Sequence, residues 1–372
     1  MKYFLVAGEA SGDLHASNLM KGLKAEDPRA EFHYWGGDMM ASVAPGLLHH
    51  YKEGAVMGLS EVLSKAGTLL NNLKQCKKDI LDFAPDVLIL IDYPGFNLKL
   101  AKFAHKAGLK VFYYIAPKTW ASRAGRNRLL KRYVDMLYIV FPFEIPYFTR
   151  KGIPFIYKGN PLVEAVESFD YKCLCPDPYI ALLPGSRKNE IERTLPLCME
   201  LADRMHADPR YKDFKFIVAG APARSPEDYA PYLQERDFVQ LVFAQTYSVL
   251  KYAKSCIVNS GTASLEAALI GTPQMVCWST SALTAFVAKY ILRVMDKVKF
   301  ISLGNLILDK AVFKEFIQND FSLENISAEM DRLLQDDSYR NSMLEGYSQI
   351  KEALGASQAS RAFARDMINR LS

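Results

Sequence analysis

The stretch Tyr3-Phe-Leu-Val-Ala-Gly-Glu-Ala-Ser-Gly-Asp13 decides the fold, because an apolar, strand-like run breaks at a glycine and passes at once into a helical pattern. Tyr179-Ile-Ala-Leu-Leu-Pro-Gly-Ser-Arg187 repeats that grammar in the second half. Strand–turn–helix openings of this kind build nucleotide-type α/β units. In such units ligands sit outside the carboxyl ends of the strands, where a helix N-terminus offers N–H groups and a partial positive charge. Two openings predict two Rossmann-like halves with the function in the cleft between them.

Working outward, apolar strand candidates recur at 2–7, 31–35, 86–91, 110–115 and 136–141, then at 178–183, 215–219, 239–243, 255–259 and 274–278. They alternate with helix-length amphipathic stretches such as 190–207 and 261–271. Runs like Val87-Leu-Ile-Leu-Ile91 are apolar throughout, as a parallel sheet buried on both faces requires. The join falls between Gly159 and Pro178, and beyond about residue 320 the chain reads as helix. A terminal helix over 358–371, with Ala362, Phe363, Met367, Ile368 and Leu371 on its apolar positions, needs a surface to dock on.

The chain of 372 residues is 50% hydrophobic and 23% charged, ordinary for two globular domains. No run is long and apolar enough to span a bilayer, and Glu9 and Asp13 come too early for a signal peptide, so a cytoplasmic protein is expected. Cys76, Cys173, Cys175, Cys198, Cys256 and Cys277 are scattered without a His cluster. They read as reduced thiols, and no metal site is expected. A net charge of +5 is too mild to argue for nucleic acid.

Four stretches carry the chemistry. Gly8-Glu-Ala-Ser-Gly-Asp13 permits a tight turn, with Ser11 and Asp13 able to cap the next helix, yet it has neither dinucleotide nor P-loop spacing, so no cofactor is expected. Asp92 ends the most apolar strand of the first half; a carboxylate there is expensive to bury unless used, which makes it the candidate general base. Pro184-Gly-Ser-Arg187 sets a guanidinium after a turn that opens a helix, a diphosphate cradle. Asn259-Ser-Gly-Thr-Ala-Ser-Leu-Glu266 is a second such turn, with Glu266 placed to accept from ribose hydroxyls.

Two further features concern surfaces. Lys118, Arg123, Arg126, Arg128, Lys131 and Arg132 form a basic run with Trp120 among them, suited to an anionic lipid or phosphate. Val62, Leu63, Leu69, Leu70 and Leu73, interspersed with Lys65, Lys74, Lys77 and Lys78, read as a membrane-facing helix stripe, with core packing as the alternative reading.

In order along the chain, Gly8–Asp13, Val56-Met-Gly-Leu-Ser-Glu-Val-Leu63, Ile91-Asp-Tyr-Pro-Gly-Phe-Asn97, Ala116-Pro-Lys-Thr-Trp-Ala-Ser-Arg123, Leu182–Arg187, Ser260–Glu266 and Ser302-Leu-Gly-Asn-Leu306 carry a resemblance over nearly the whole length. The sequence resembles the lipid-A-disaccharide synthases of Gram-negative bacteria, metal-independent glycosyltransferases of GT-B architecture. The resemblance implies an N-terminal acceptor domain at 1–165, completed by 356–372, and a C-terminal UDP-sugar donor domain at 166–355. It implies inverting transfer of diacylglucosamine from UDP to the 6-hydroxyl of diacylglucosamine 1-phosphate, at the cytoplasmic face of the inner membrane.

Residue by residue, the resemblance assigns Asp92 and Arg187 as catalytic, with Glu9 and Asp13 as helpers. Gly185, Ser186, Arg187, Ser260, Gly261, Thr262, Glu266 and Asn305 would hold UDP. Ser11, Gly12, His15, Met57, Glu61, Asn97 and Trp120 would hold the acceptor. Where the family commonly has Pro-Asp-Phe-Asn this chain has Pro94-Gly95-Phe96-Asn97, and where it has Gly-His-Pro this chain has Gly159-Asn160-Pro161, which takes one carboxylate and one imidazole out of the reaction. The rival readings are a UDP-N-acetylglucosamine 2-epimerase-like enzyme and a non-catalytic nucleotide-regulated binding protein.

Overall fold

A computed structural model of the chain describes residues 1–54, 61–234, 236–279, 299–355 and 357–371; the side chains of residues 54 and 61–66 lie outside that description. The chain divides into two units, Met1–Ala165 with Leu354–Ser372, and Val166–Ala353.

The first unit runs β1 (Lys2–Ala7), α1 (Ala10–Glu26), β2 (Glu31–Gly36), α2 (Asp38–Ala41), β3 (Leu47–His50), α3 (Glu61–Phe83), β4 (Val87–Ile91), α4 (Pro94–Lys106), β5 (Lys110–Tyr114), α5 (Asn127–Tyr133), β6 (Met136–Ile139), α6 (Glu144–Lys151), β7 (Phe155–Tyr157) and α7 (Pro161–Glu167), which leads into the second unit. Its seven strands are parallel, in the order β3-β2-β1-β4-β5-β6-β7. Every residue of β4 is buried, and one face of the sheet packs Leu88, Leu90, Val111, Tyr113 and Leu137 against Leu73, Ile80, Leu100 and Leu130 of the crossover helices.

The second unit runs β8 (Tyr179–Leu183), α8 (Lys188–His206), β9 (Lys215–Gly220), α9 (Ala230–Leu233), β10 (Val239–Phe243), α10 (Thr246–Tyr252), β11 (Ser255–Asn259), α11 (Thr262–Ile270), β12 (Gln274–Trp278), α12 (Leu303–Leu308), β13 (Glu315–Ile317), α13 (Leu323–Gln335) and α14 (Asp337–Leu354). Its strands are also all parallel, in the order β10-β9-β8-β11-β12-β13. Both units are therefore doubly wound α/β sheets, and all ten expected strands form. The unexpected ones, β3, β7 and β13, are edge strands of three or four residues, too short to leave an apolar run in the sequence.

The last helix, α15 (Ala359–Asn369), returns to the first unit and packs on α1. Gly22 permits the close approach: a Cβ there would lie 3.0 Å from the Ser360 carbonyl oxygen and 3.2 Å from the Ala364 Cβ. Phe363 is fully buried, edge-on to Tyr114 and Tyr138. At the rim, Glu26 accepts from Arg361 and Arg365, and Tyr138 donates to Asp366 at 3.0 Å.

Deleting the Phe363 ring leaves a cavity between two helices and the sheet, so Phe363→Ala is expected to cost about 3–5 kcal/mol. The exposed Arg361→Ala change is expected to cost less than about 1 kcal/mol. Urea unfolding of the two variants checks this, and equal losses would show that the helix is held by its charges instead.

Candidate active site

In each sheet the chain reverses its winding once, between β1 and β4 in the first and between β8 and β11 in the second. Ligands of open α/β sheets bind outside the strand ends at such switch points. The strand-end motifs singled out in the sequence fall on both.

At the first switch point the loops after β1 and β4 meet. Asp92 and Tyr93 are both left-handed, with φ of 42° and 43°. Two consecutive non-glycine residues there carry of order 1–3 kcal/mol of strain each, which the surroundings must impose. Those surroundings are visible. The Asp92 N–H donates to the Tyr114 carbonyl at 3.1 Å, and the Asp92 carbonyl accepts from the Tyr113 hydroxyl at 2.5 Å and from Asn97 Nδ2 at 3.0 Å. The absence of a side chain at Gly8 admits the Tyr93 ring, since a Cβ would lie 2.4 Å from it. With its main chain pinned, the half-buried Asp92 carboxyl is pushed above the usual carboxylate range by burial, pulled back by Lys118 and Arg126 and raised further by Glu9.

The next loop, 115–127, carries Lys118, Trp120 and Arg126. Ile115 and Arg123 within it are again left-handed, with φ of 64° and 53°. A closed ring of hydrogen bonds holds it: Thr119 donates to Asn127 at 2.8 Å, Asn127 to the Tyr147 hydroxyl at 2.7 Å, and Tyr147 back to the Thr119 carbonyl at 2.8 Å. Trp120 donates from Nε1 to Glu144 at 3.2 Å, and Glu144 also accepts from the Val140 and Phe141 amides. Burial pushes the Glu144 carboxyl up to about 7. Neither Glu144 nor this ring was foreseen; the one available signal was a lone Glu heading a helix in an aromatic stretch, Phe141-Pro-Phe-Glu144.

At the second switch point, Gly185 has φ of 117°, and a Cβ there would meet Asn259 and Glu190 at 2.6 Å. This brings the turns after β8 and β11 together. Glu190 accepts from the Ser186 and Arg187 amides at 2.9 and 3.1 Å and from the Arg187 guanidinium at 2.8 Å. A carboxylate thus already engages the amides read as a diphosphate cradle. Ser260 donates to the Ile301 carbonyl at 3.2 Å, tying in the Ser302–Leu306 turn. Gly261 and Thr262 open α11 with no side-chain cap, and Glu266, pushed up to about 7 by burial, accepts from Tyr247 at 3.1 Å.

Several expected contacts are corrected by this geometry. Asp13 caps not α1 but α2: its buried carboxylate accepts from the amides of Gly37, Met39 and Met40. Asn97, fully buried, donates to the Val6, Ile91 and Asp92 carbonyls and fixes the strand ends. Asn305 is likewise fully buried: it accepts from Val312 and Phe313 and donates to the Phe313 carbonyl and Glu315, so its side chain braces the turn.

His15 is buried, with Nδ1 unpartnered among the described residues, and burial pushes its imidazole down to about 4, so it is neutral. Gly12 is buried near Ala7 and Ile91, whereas Ser11 and Glu9 are exposed. Leu73 lies in the core and Leu69 packs against it, because this part of the apolar stripe of α3 faces its own sheet; of the described leucines in the stripe Leu70, 54% exposed, points outward, as does Leu81 further along the helix. Met57 lies outside the described residues, as do the side chains of Glu61, Val62 and Leu63.

A family model described as lipid-A-disaccharide synthetase matches residues 3–366. The lipid-A-disaccharide synthase of Trichlorobacter lovleyi is 35% identical over 98% of this chain and 96% of its own length. That of Geobacter sulfurreducens is 36% identical over 100% and 97%. Among solved structures, UDP-GlcNAc 2-epimerase from Neisseria meningitidis bound to UDP-GlcNAc superposes with a TM-score of 0.72 over 99% of this chain and 100% of that one. At 13% identity that likeness shows the fold alone.

Glu144 gives a direct test of the loop geometry. As pH rises through 7 the carboxyl ionises, and the Trp120 indole proton is expected to move downfield as its hydrogen bond becomes charge-assisted. Because the folded pKa is raised, the wild type is also expected to lose stability relative to Glu144→Gln over that pH range. NMR titration of the three tryptophan indoles reads the first effect; a flat Trp120 resonance, or one that still titrates in Glu144→Gln, would remove Glu144 from the site.

Proposed function

The chain belongs to the lipid-A-disaccharide synthetase family of glycosyltransferases, and on that premise we propose that it transfers 2,3-diacylglucosamine from its UDP derivative to the 6-hydroxyl of 2,3-diacylglucosamine 1-phosphate. The products are the β-1,6 disaccharide 1-phosphate, with inversion, and UDP. The observation that carries the reading is Asp92: a carboxylate at a switch point, on a strained and pinned main chain, with two cations acting on it.

In this reading the first unit holds the acceptor, and Asp92 takes the proton from its hydroxyl as the hydroxyl attacks the anomeric carbon. Glu9 is the nearby exposed acid, whereas Asp13 is taken up in capping α2. The second unit holds UDP. The Ser186 and Arg187 amides and the Arg187 guanidinium exchange the Glu190 carboxylate for a diphosphate oxygen, and the head of α11, from Ser260 to Thr262, supplies further N–H groups. Charge building on the leaving diphosphate is met by that cation and those dipoles. Glu266, one turn inside α11, accepts from the ribose.

We assign the membrane-facing surface to the basic helices rather than to a leucine stripe. From Tyr93 to Val134 the chain holds ten Lys and Arg and no Asp or Glu, against a net +5 overall. Lys99, Lys102, Lys106, Arg128, Lys131 and Arg132 of α4 and α5 are all exposed. No helix among the described residues is long and apolar enough to cross a membrane. Association is therefore read as peripheral and electrostatic, at the cytoplasmic side of the inner membrane.

Turnover of the two lipid sugars is expected in the wild type, with a loss of about 100-fold or more in Asp92→Ala and a comparable loss in Arg187→Ala, each checked for folding by circular dichroism. Active wild type with near-normal Asp92→Ala would move the base to Glu9; conversion of UDP-N-acetylglucosamine to its 2-epimer would overturn the transferase reading. For the membrane, joint Arg128→Gln, Lys131→Gln and Arg132→Gln changes are expected to abolish sedimentation with phosphatidylglycerol vesicles, as high salt should. Leu70→Glu is expected to weaken it far less, and the reverse order would restore an apolar attachment.

A further inference from the structure

The cations beside Asp92 have a use that the transfer step alone does not require. Lys118 and Arg126 lie on the loop after β5, the strand paired to β4 with Ile91 opposite Tyr114, so their loop borders Asp92. Both act on the Asp92 carboxyl, and Arg126 also acts on Tyr113, whose hydroxyl holds the Asp92 carbonyl. Neither makes an ion pair within 4.0 Å among the described residues. Two cations on a single loop bordering one carboxyl, neither committed to an ion pair there, leave positive charge available to an anion at the same place.

The loop is also built to hold them in place. Thr119 lies between Lys118 and Trp120 and is 2% exposed, and it belongs to the Thr119–Asn127–Tyr147 ring that immobilises both ends of the segment. Trp120 anchors the same turn to Glu144. Left-handed Ile115 and Arg123 bracket it, and a β-branched residue at positive φ is a backbone conformation that only strong local bonding sustains. Buried polar bracing under an exposed Lys118 and a half-buried Arg126 is the arrangement of a preorganised anion site.

Resting on the reading of the chain as a transferase acting on a sugar phosphate, we propose that Lys118 and Arg126 bind the phosphomonoester of the acceptor and thereby set its attacking hydroxyl against Asp92. The bound dianion then neutralises the two cations. Their pull on Asp92 is relieved, its affinity for a proton rises, and the base strengthens only when the correct acceptor is present. An acceptor without the phosphate leaves both cations unpaired, which makes the pair a specificity element as well as a positioning one.

The experiment compares diacylglucosamine 1-phosphate with diacylglucosamine lacking the phosphate, in wild type, Lys118→Gln and Arg126→Gln. The wild type is expected to prefer the phosphorylated acceptor, and each variant to raise the KM for it by about 10- to 100-fold while leaving the donor KM unchanged. The KM for the unphosphorylated acceptor should stay within about twofold, and Arg126→Lys should recover part of the loss. Variants that keep the wild-type preference would overturn the proposal; an equal fall of kcat with both acceptors and a shifted pH profile would reduce the pair to tuning Asp92.

Anionic lipid headgroups share the same chemistry, so the variants are also sedimented with phosphatidylglycerol vesicles. Unchanged sedimentation is expected, and its loss with acceptor preference intact counts against the proposal. If the wild type turns over neither acceptor, the transferase reading fails. The pair is then judged by binding of glucosamine 1-phosphate, followed by the Trp120 indole resonance: a shift in wild type that is absent in both variants keeps the anion site, and no shift removes it.

Discussion

Everything at the two sites follows from sheets that are buried on both faces. Parallel strands such as Val87–Ile91 and Ser255–Asn259 are wholly buried and satisfy their main chain within the ladder. Polar chemistry is therefore pushed to the carboxyl ends, where the ladder stops and carbonyl groups are left without strand partners. An unpaired buried carbonyl costs of order 1–3 kcal/mol, so something must pair with each. Asn97 takes three of them, and the Tyr113 hydroxyl a share of one. That bonding sets the unusual backbone of Asp92 and Tyr93, and the backbone aims the carboxyl.

The second unit solves the same problem with carboxylates. Glu315 accepts from the Ile301 and Ser302 amides, from the Ser302 hydroxyl and from Asn305, pinning the turn before α12 to an edge strand. Glu190 does likewise for the turn after β8. The two units thus share a plan but differ in sign. Cations gather around a carboxyl in the first, whereas in the second amides and a guanidinium gather around a place now held by a carboxylate. The first arrangement is the one proposed for the acid–base step and the second the one proposed for the anionic leaving group.

The architecture was legible because burial on both faces leaves an unmistakable apolar run, and the placement of Asp92, Gly185 and Arg187 at the switch points was legible because they stand where those runs end. The direction of a polar side chain inside a motif was not legible. Asp13, Asn97 and Asn305 look in sequence like groups that touch a ligand, yet the backbone donors and acceptors they serve are brought in by folding from α2, β1 and the Phe313 segment. Leu69 and Leu73 failed for a related reason: periodicity shows that a helix has an apolar face but not what covers it. Glu144 escaped notice because two of its partners are backbone amides, which leave no pattern among side-chain types, whereas the Arg187–Glu190 pair was readable from its i,i+3 spacing.

Acid–base function and stability pull against each other here. Glu144 and Glu266 sit beside the two sites with carboxyls pushed up to about 7, and both are favoured by the fold in their neutral form. For a raised carboxyl the stabilising contribution is complete below the unfolded value, near 4.5, and is lost as pH rises through 7. Asp92 must instead be ionised to accept a proton, and burial raises it too. Lys118 and Arg126 both pull the Asp92 carboxyl back down, whereas of the two bracing carboxyls only Glu144 feels Lys118, and burial keeps it raised all the same. A site that used cations only for binding would have no reason to place them against the base. A site that used them only on the base would not need two on a loop so heavily braced.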